Sequence, residues 1–122
     1  MNKNKLLLIL SILFSSLLFA QTSETPIDEK VGKYTIKVIT NADSTYGYEI
    51  YEDTRLVEKQ AKRPFFTFSS GFVHKQNALL IGNWHATELM EGRNNKYALR
   101  IPKARELGVS EDDLQFKNPN QN

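Results

Sequence analysis

Any chemistry in this chain has to come from two histidines and scattered carboxylates, because it contains no cysteine. His85 and Glu88 are the strongest pair. Three positions apart on a helix, they share one side of it and can approach a metal together. A catalytic zinc site uses three protein ligands, however, and this pair supplies two. His85 also lies near the middle of an apolar stripe, where a neutral imidazole packs as a flat ring and donates one hydrogen bond. That packed role is the expected one. His74, about three helical turns earlier, precedes the helix and is expected to help satisfy its first amides. Glu49, Glu52, Asp53 and Glu58 cluster around one hairpin, and paired carboxylates can divide general-acid and general-base roles. Strand alternation sends Glu49 and Glu58 away from the apolar side, beside Arg55 and Lys59, where acids make weak cross-strand pairs.

No G-x-S-x-G elbow, G-x-x-x-x-G-K loop or C-x-x-C pair is present, and the glycines are too scattered to cradle a phosphate. The sequence therefore predicts no catalytic site, no cofactor and no metal. The competing expectation is a small envelope hydrolase or metal-dependent enzyme built on His85, Glu88 and a hairpin carboxylate.

Aromatic side chains are the stronger signal. Tyr46, Tyr48, Tyr51, Phe65, Phe66, Phe68 and Phe72 fall in a short window, more than one small sheet readily hides. Most belong to a core, but Phe65, Phe66 and Phe68 can also line a groove for a sugar, a peptide or an apolar ligand, because aromatic faces give large contact area at little entropy cost. Leu80 and Trp84, one helical turn apart, lie opposite the main apolar stripe. This ridge is either a partner site or is covered by the C-terminal segment around Ile101, Leu107 and Phe116. The candidate binding residues are thus Trp84, Leu80, Phe65, Phe66 and Phe68.

The elements that position them follow from periodicity. Tyr34, Ile36 and Val38 alternate with Thr35 and Lys37, and Tyr46, Tyr48 and Ile50 alternate with Gly47 and Glu49, which predicts two half-buried strands. Asn, Asp and Ser between them supply turn chemistry. A tight turn at Glu52, Asp53 and Thr54 leads to a third strand over residues 55–60. Pro64 removes a ladder donor from the next segment, which reads as an edge or packed loop. From Lys75 the period becomes helical: Ala78, Ile81, Gly82, His85 and Leu89 share a face, widened by Leu79, Ala86 and Met90. This helix runs to about Glu91, with Gly92 as a left-handed stop. Beyond it, residues 97–101 suggest a short strand, Pro102 opens a helical turn ending at Gly108, and Ser110 leads a capped turn toward Leu114 and Phe116. The predicted fold is α+β: a three- or four-stranded antiparallel meander covered by one amphipathic helix, with a short C-terminal helical segment.

The N-terminus reads as an export signal. Lys3 and Lys5 precede an apolar stretch that ends at Ala20 and Gln21, a layout shorter than the run of about 20 apolar residues a spanning helix needs. Residues 1–20 are therefore assigned to a cleaved signal peptide, 21–33 to a polar flexible leader, 34–116 to one domain and 117–122 to a polar tail, with no membrane span after cleavage. Removing Lys3 and Lys5 from the 16 basic residues leaves 14, balanced by 14 acidic ones. Neutrality of that kind argues against nucleic-acid binding, which depends on neutralising phosphates.

The succession Tyr46-Gly47-Tyr48-Glu49-Ile50, Gln60, Pro64, Gly71-Phe72, Ala78 and Leu107-Gly108 resembles a family of small exported proteins of Bacteroidota catalogued as a domain of unknown function, from about Tyr34 to Val109. The resemblance implies a periplasmic or secreted location and no particular reaction, ligand or site residue. Lys62 and Arg63 before Pro64, and His85 in place of an apolar residue, depart from its pattern. The sequence as a whole predicts a non-enzymatic binding or accessory protein of the cell envelope, its partner an envelope protein or a small apolar or sugar ligand. A structural or stress-related domain whose surface matters more than any pocket is the third expectation.

Overall fold

The computed structural model describes residues 28–66, 69–95 and 98–116. The assigned signal peptide, the first part of the leader, Phe68, Tyr97 and the tail from Lys117 lie outside the described residues.

Four antiparallel strands form one sheet in chain order: β1 Asp28–Val31, β2 Tyr34–Thr40, β3 Tyr46–Glu52 and β4 Arg55–Gln60. Helix α1, Lys75–Met90, lies across it, followed by α2, Ile101–Glu106, and α3, Glu111–Leu114. This is the expected α+β meander under a helix. The leader is shorter than its composition suggested, because Asp28 to Val31 pair with Lys37 to Tyr34 as an edge strand. An edge strand wet on both faces has no alternation to betray it, so its polar sequence reads as a linker. Gly32, at a φ of 58°, makes the two-residue turn that returns the chain into β2.

One face of the sheet is the core face. Tyr34 and Ile36 of β2 and Tyr48 and Ile50 of β3 are buried on it, together with Ala78, Leu79, Ile81 and Ala86 of α1. Contact between helix and sheet is close at Gly82, where an added Cβ would stand 2.7 Å from Ile36 Cγ2 and 3.1 Å from Tyr48 Cγ. Glycine at mid-helix costs about 1 kcal/mol against alanine. Here it lets the backbone lie directly on the Tyr48 ring.

The β3 and β4 pairing contains the irregularity with most consequence. Glu52 faces Arg55 and Tyr51 faces Leu56, but Ile50 faces Glu58 and Glu49 faces Lys59. Val57 is the extra residue of a β-bulge, two residues on β4 opposing one on β3. A one-residue slip exchanges the faces of a strand. Regular pairing would send Val57 inward and leave Glu58 outside with Glu49, as the alternation predicts. The bulge corrects that expectation: Glu58 and Gln60 turn to the helix side, and Lys59 takes the outer place opposite Glu49.

The C-terminal segment differs in one respect. Of the strand expected over 97–101, the described residues 98–101 form none: Leu99 is buried in irregular chain and Ile101 opens α2. Pro102, fixed in φ and lacking an N–H, suits the first helical turn and cannot serve a ladder. Gly108, at a φ of 103°, ends this helix as expected. No helix among the described residues is long and apolar enough to cross a membrane.

Replacing Gly82 with valine tests the close approach. Overpacking against Ile36 and Tyr48 costs about 1–3 kcal/mol, beyond the helix-propensity gain of a fraction of a kcal/mol. Urea unfolding followed by circular dichroism should show a lower midpoint, and an unchanged midpoint would mean that the helix does not lie on the Tyr48 ring.

Candidate functional site

Where β4 ends, the chain turns sharply and is tied at each step. Asn41 Nδ2 donates to the Ala61 carbonyl at 2.8 Å, and Gln60 Nε2 donates to the Lys62 carbonyl at 2.7 Å. Pro64 ends any further pairing, so Phe65 and Phe66 leave the sheet. What holds them is Arg63. Its side chain is 2 % exposed, and its guanidinium donates through Nη1 to the carbonyls of Asp113, at 3.1 Å, and Gln115, at 3.0 Å. Nε reaches the Ser70 carbonyl at 3.4 Å, and the guanidinium lies 4.9 Å from the centre of the Phe66 ring. Burial lowers the Arg63 pKa from its ordinary value, and attraction to Asp113 opposes that shift. The guanidinium remains charged at any physiological pH.

Phenyl rings complete the assembly edge to face. Phe65 meets Phe66 at 5.0 Å and buried Phe72 at 6.0 Å, and Phe66 meets Phe116 at 5.7 Å. Between this cluster and the start of α2 lies a cleft of about 480 Å³. Pro64, Phe65 and Phe66 give it an apolar wall, and Gln60, Lys62, Arg63 and Arg100 give it polar groups. Such a volume suits a small organic ligand. Two of the predicted binding residues, Phe65 and Phe66, therefore line one cavity, while Phe68 lies outside the described residues.

Leu80 and Trp84 stand elsewhere. Both are half-buried; Trp84 packs against the core, and Leu80 Cδ1 lies 3.7 Å from where a Cβ on Gly108 would stand. The C-terminal segment thus approaches Leu80 at Gly108.

His85 is fully buried, as its place in the apolar stripe suggested, and both ring nitrogens are engaged. Nδ1 lies 2.9 Å from Tyr48 Oη and Nε2 lies 3.1 Å from Asn94 Oδ1, while Asn94 Nδ2 donates to Glu58 Oε1 at 2.9 Å. A carboxylate only accepts, and this fixes the sense of the whole chain. The Asn94 amide gives its N–H to Glu58 and accepts from His85 Nε2–H, leaving Nδ1 to accept from the Tyr48 hydroxyl. Burial, with a smaller effect from the Glu58 carboxylate, pushes the Tyr48 phenol far above its ordinary range. It therefore keeps the proton that it donates.

The other acids do not join this chain. Glu88 pairs with Arg93 at 2.7 Å, and that hydrogen bond holds its carboxyl below the usual range. Glu52 pairs with Arg55 and Lys33, Glu49 accepts from Tyr51, and Asp53 sits in the turn. His74 pairs through its ring with Asp112 at 3.0 Å and makes no side-chain cap. Asp113 serves the entry to α1 in its place, accepting from the amides of Val73, at 2.6 Å, and His74, at 3.2 Å, and from Asn77 Nδ2 at 2.7 Å. Among the described residues no three His, Cys, Asp or Glu side chains converge as a metal site.

Sequence reasoning missed Arg63 and Arg100 as cleft residues and Asn94 as the link between His85 and Glu58. Comparison with protein-family models, curated proteins and solved structures returns no match.

Two substitutions probe this geometry. Arg63→Lys keeps the charge but loses the planar array in which Nε donates to Ser70 while Nη1 donates to Asp113 and Gln115, and should cost about 2–3 kcal/mol in denaturant unfolding; wild-type stability would exclude that array. Tyr48→Phe leaves His85 Nδ1 unpaired in the core and should cost about 1–3 kcal/mol. In a His85→Leu background the same change should cost at least about 1 kcal/mol less, and equal costs in the two backgrounds would show that the bond is absent.

Proposed function

We propose that this chain is an exported binding module of the cell envelope, and that its ligand occupies the cleft between the end of β4 and the start of α2. The observation that carries this reading is the cleft itself: two phenyl rings and a proline beside cationic side chains, in a volume that suits a small molecule. Its wall is built before any ligand arrives, because Arg63 ties the Phe66 turn to the C-terminal segment. Preformed sites spend less binding free energy on ordering side chains. The signal-peptide layout and the resemblance to small exported proteins of Bacteroidota support the envelope location. The engagement of His85 on both nitrogens, and of Glu88 with Arg93, supports binding rather than catalysis.

A fragment set screened by ligand-observed NMR, with hits mapped on the amide spectrum of the purified protein, tests this. Hits should compete with one another, shift the amides of Lys62, Phe66 and Arg100, and lose about tenfold or more in affinity in Phe66→Ala, the cost of truncating an aromatic anchor. Hits that map instead to Leu80 and Trp84, or an absence of hits, would overturn the assignment.

A further inference from the structure

The cleft offers a ligand one polar group whose direction is fixed. Gln60 ends β4 opposite Tyr48, on the helix side to which the bulge at Val57 turns it, and it lines the cavity. Its backbone has little freedom: a Cβ at position 47 would collide with the Gln60 carbonyl, and Asn41 Nδ2 holds the next carbonyl, that of Ala61, at 2.8 Å. The side chain is held as well, because Gln60 Nε2 donates to the Lys62 carbonyl at 2.7 Å. A carbonyl only accepts, so the amide nitrogen must be the atom that faces it. Oε1 is then the atom left over, and among the described residues nothing donates to it. The wall therefore presents an oriented acceptor.

The other lining groups narrow what can sit beside it. Pro64, Phe65 and Phe66 form a half-buried apolar wall, suited to the face or edge of a flat ring. The Arg63 guanidinium lies 4.9 Å from the centre of the Phe66 ring and gives Nε and Nη1 to the carbonyls of Ser70, Asp113 and Gln115. It braces the wall rather than reaching for a ligand. No carboxylate is among the described residues that line the cleft, so a ligand ammonium would find no counter-charge there. A sugar carries a hydroxyl on nearly every ring carbon, and each one buried without a partner costs free energy. One amide oxygen beside Pro64, Phe65 and Phe66 does not serve so many. A flat ring with a single donor matches this wall in both its apolar and its polar part.

We infer that the ligand of this cleft is a flat aromatic molecule of one or two rings that bears a ring N–H, packed on Phe65 and Phe66 and donating to Gln60 Oε1. The inference rests on the cleft being the ligand site and adds the chemical class of the ligand to it. A volume of about 480 Å³ accommodates such a molecule. Because the acceptor is held before the ligand arrives, the hydrogen bond forms without the cost of ordering the amide.

The probe is an isosteric pair, indole and benzofuran, titrated into the purified protein and followed by amide chemical shifts. Benzofuran has a ring oxygen where indole has its N–H and is the less polar of the two, so burial against phenyl rings alone would favour it. Indole should instead bind about fivefold or more tightly, the net worth of one hydrogen bond. Its shifts should centre on Gln60, Phe65 and Phe66, with an intermolecular NOE from the indole N–H to the Gln60 side-chain amide protons. In Gln60→Leu the preference should vanish through a loss in indole affinity, while benzofuran binds as in the wild type and so reports an intact cleft. Equal or tighter binding of benzofuran to the wild type at these residues would overturn the donor assignment and leave the cleft as a ligand site. An indole preference that persists in Gln60→Leu would overturn it as well. Should Gln60→Leu lose both ligands, the wild-type NOE decides, and its absence in bound indole overturns the assignment. If neither probe shifts the cleft residues, the ligand-site reading falls together with the donor assignment.

Discussion

Arg63 is a full charge with 2 % of its side chain exposed, and much of the molecule is arranged so that it can be there. Burying an ion costs several kcal/mol unless its protons find partners and an opposite charge stands near. Here the partners are carbonyls of Ser70, Asp113 and Gln115, so one side chain joins the turn after β4, the irregular chain at Ser70 and the C-terminal segment. Asp113 answers the charge and at the same time accepts from Val73, His74 and Asn77 at the entrance to α1. Remove that junction and three segments lose a common anchor, because α2 and α3 lean on the rest of the fold largely through it and through Leu99, Ala104, Val109 and Leu114. A lysine cannot take the place, since a point charge on a flexible stem does not span several carbonyls in one plane.

A second constraint acts through parity. The bulge at Val57 costs one ladder step and turns Glu58 inward. Without it Asn94 would have no carboxylate to donate to, and the sense of the chain through His85 to Tyr48 would be undefined. The same shift brings Gln60 to the helix side, where it faces Tyr48 in the pairing and lines the cleft. One extra residue in one strand thus sets both the polar core and the rim of the candidate site. The tautomer of His85 follows from the acid at the far end of this chain, which is how a carboxylate at the end of a relay orders groups further along.

What could be read from the sequence is what short-range patterns encode. Alternation located β2 and β3, the change to a helical period located α1, and Gly92 and Gly108 marked stops that the backbone takes at φ of 77° and 103°. The burial of His85 followed from its neighbours on the stripe. β1 was hidden because an edge strand exposed on both faces leaves no periodic trace. Glu58 was placed on the wrong face because a bulge has no composition of its own in this hairpin, and parity beyond it cannot be counted. Lys62 and Arg63 are neighbours of the same charge, yet one is exposed and the other buried. Carbonyls some fifty positions away decide which, and nothing local records them. The aromatic window did point to the cleft through Phe65 and Phe66, since hydrophobic excess near a chain-breaking proline has to be resolved somewhere on the surface.

The two polar constellations of this molecule differ in the property that function requires. Around His85 the phenol, both imidazole nitrogens, the amide and a carboxylate oxygen form one directed chain that starts at buried Tyr48 and ends at the surface with Asn94 and Glu58. A network so satisfied specifies a packing and resists change, and a reacting molecule would have to displace a hydrogen bond to enter it. At the cleft the balance is reversed. Arg63 gives its hydrogen bonds to backbone carbonyls behind the wall, and the phenyl rings of Phe65 and Phe66 remain half-exposed beside it. Apolar surface left half-exposed in one concave place is what a ligand can complete. The buried histidine therefore serves the sheet and the helix, and the loop after β4 is where the fold has capacity to spare.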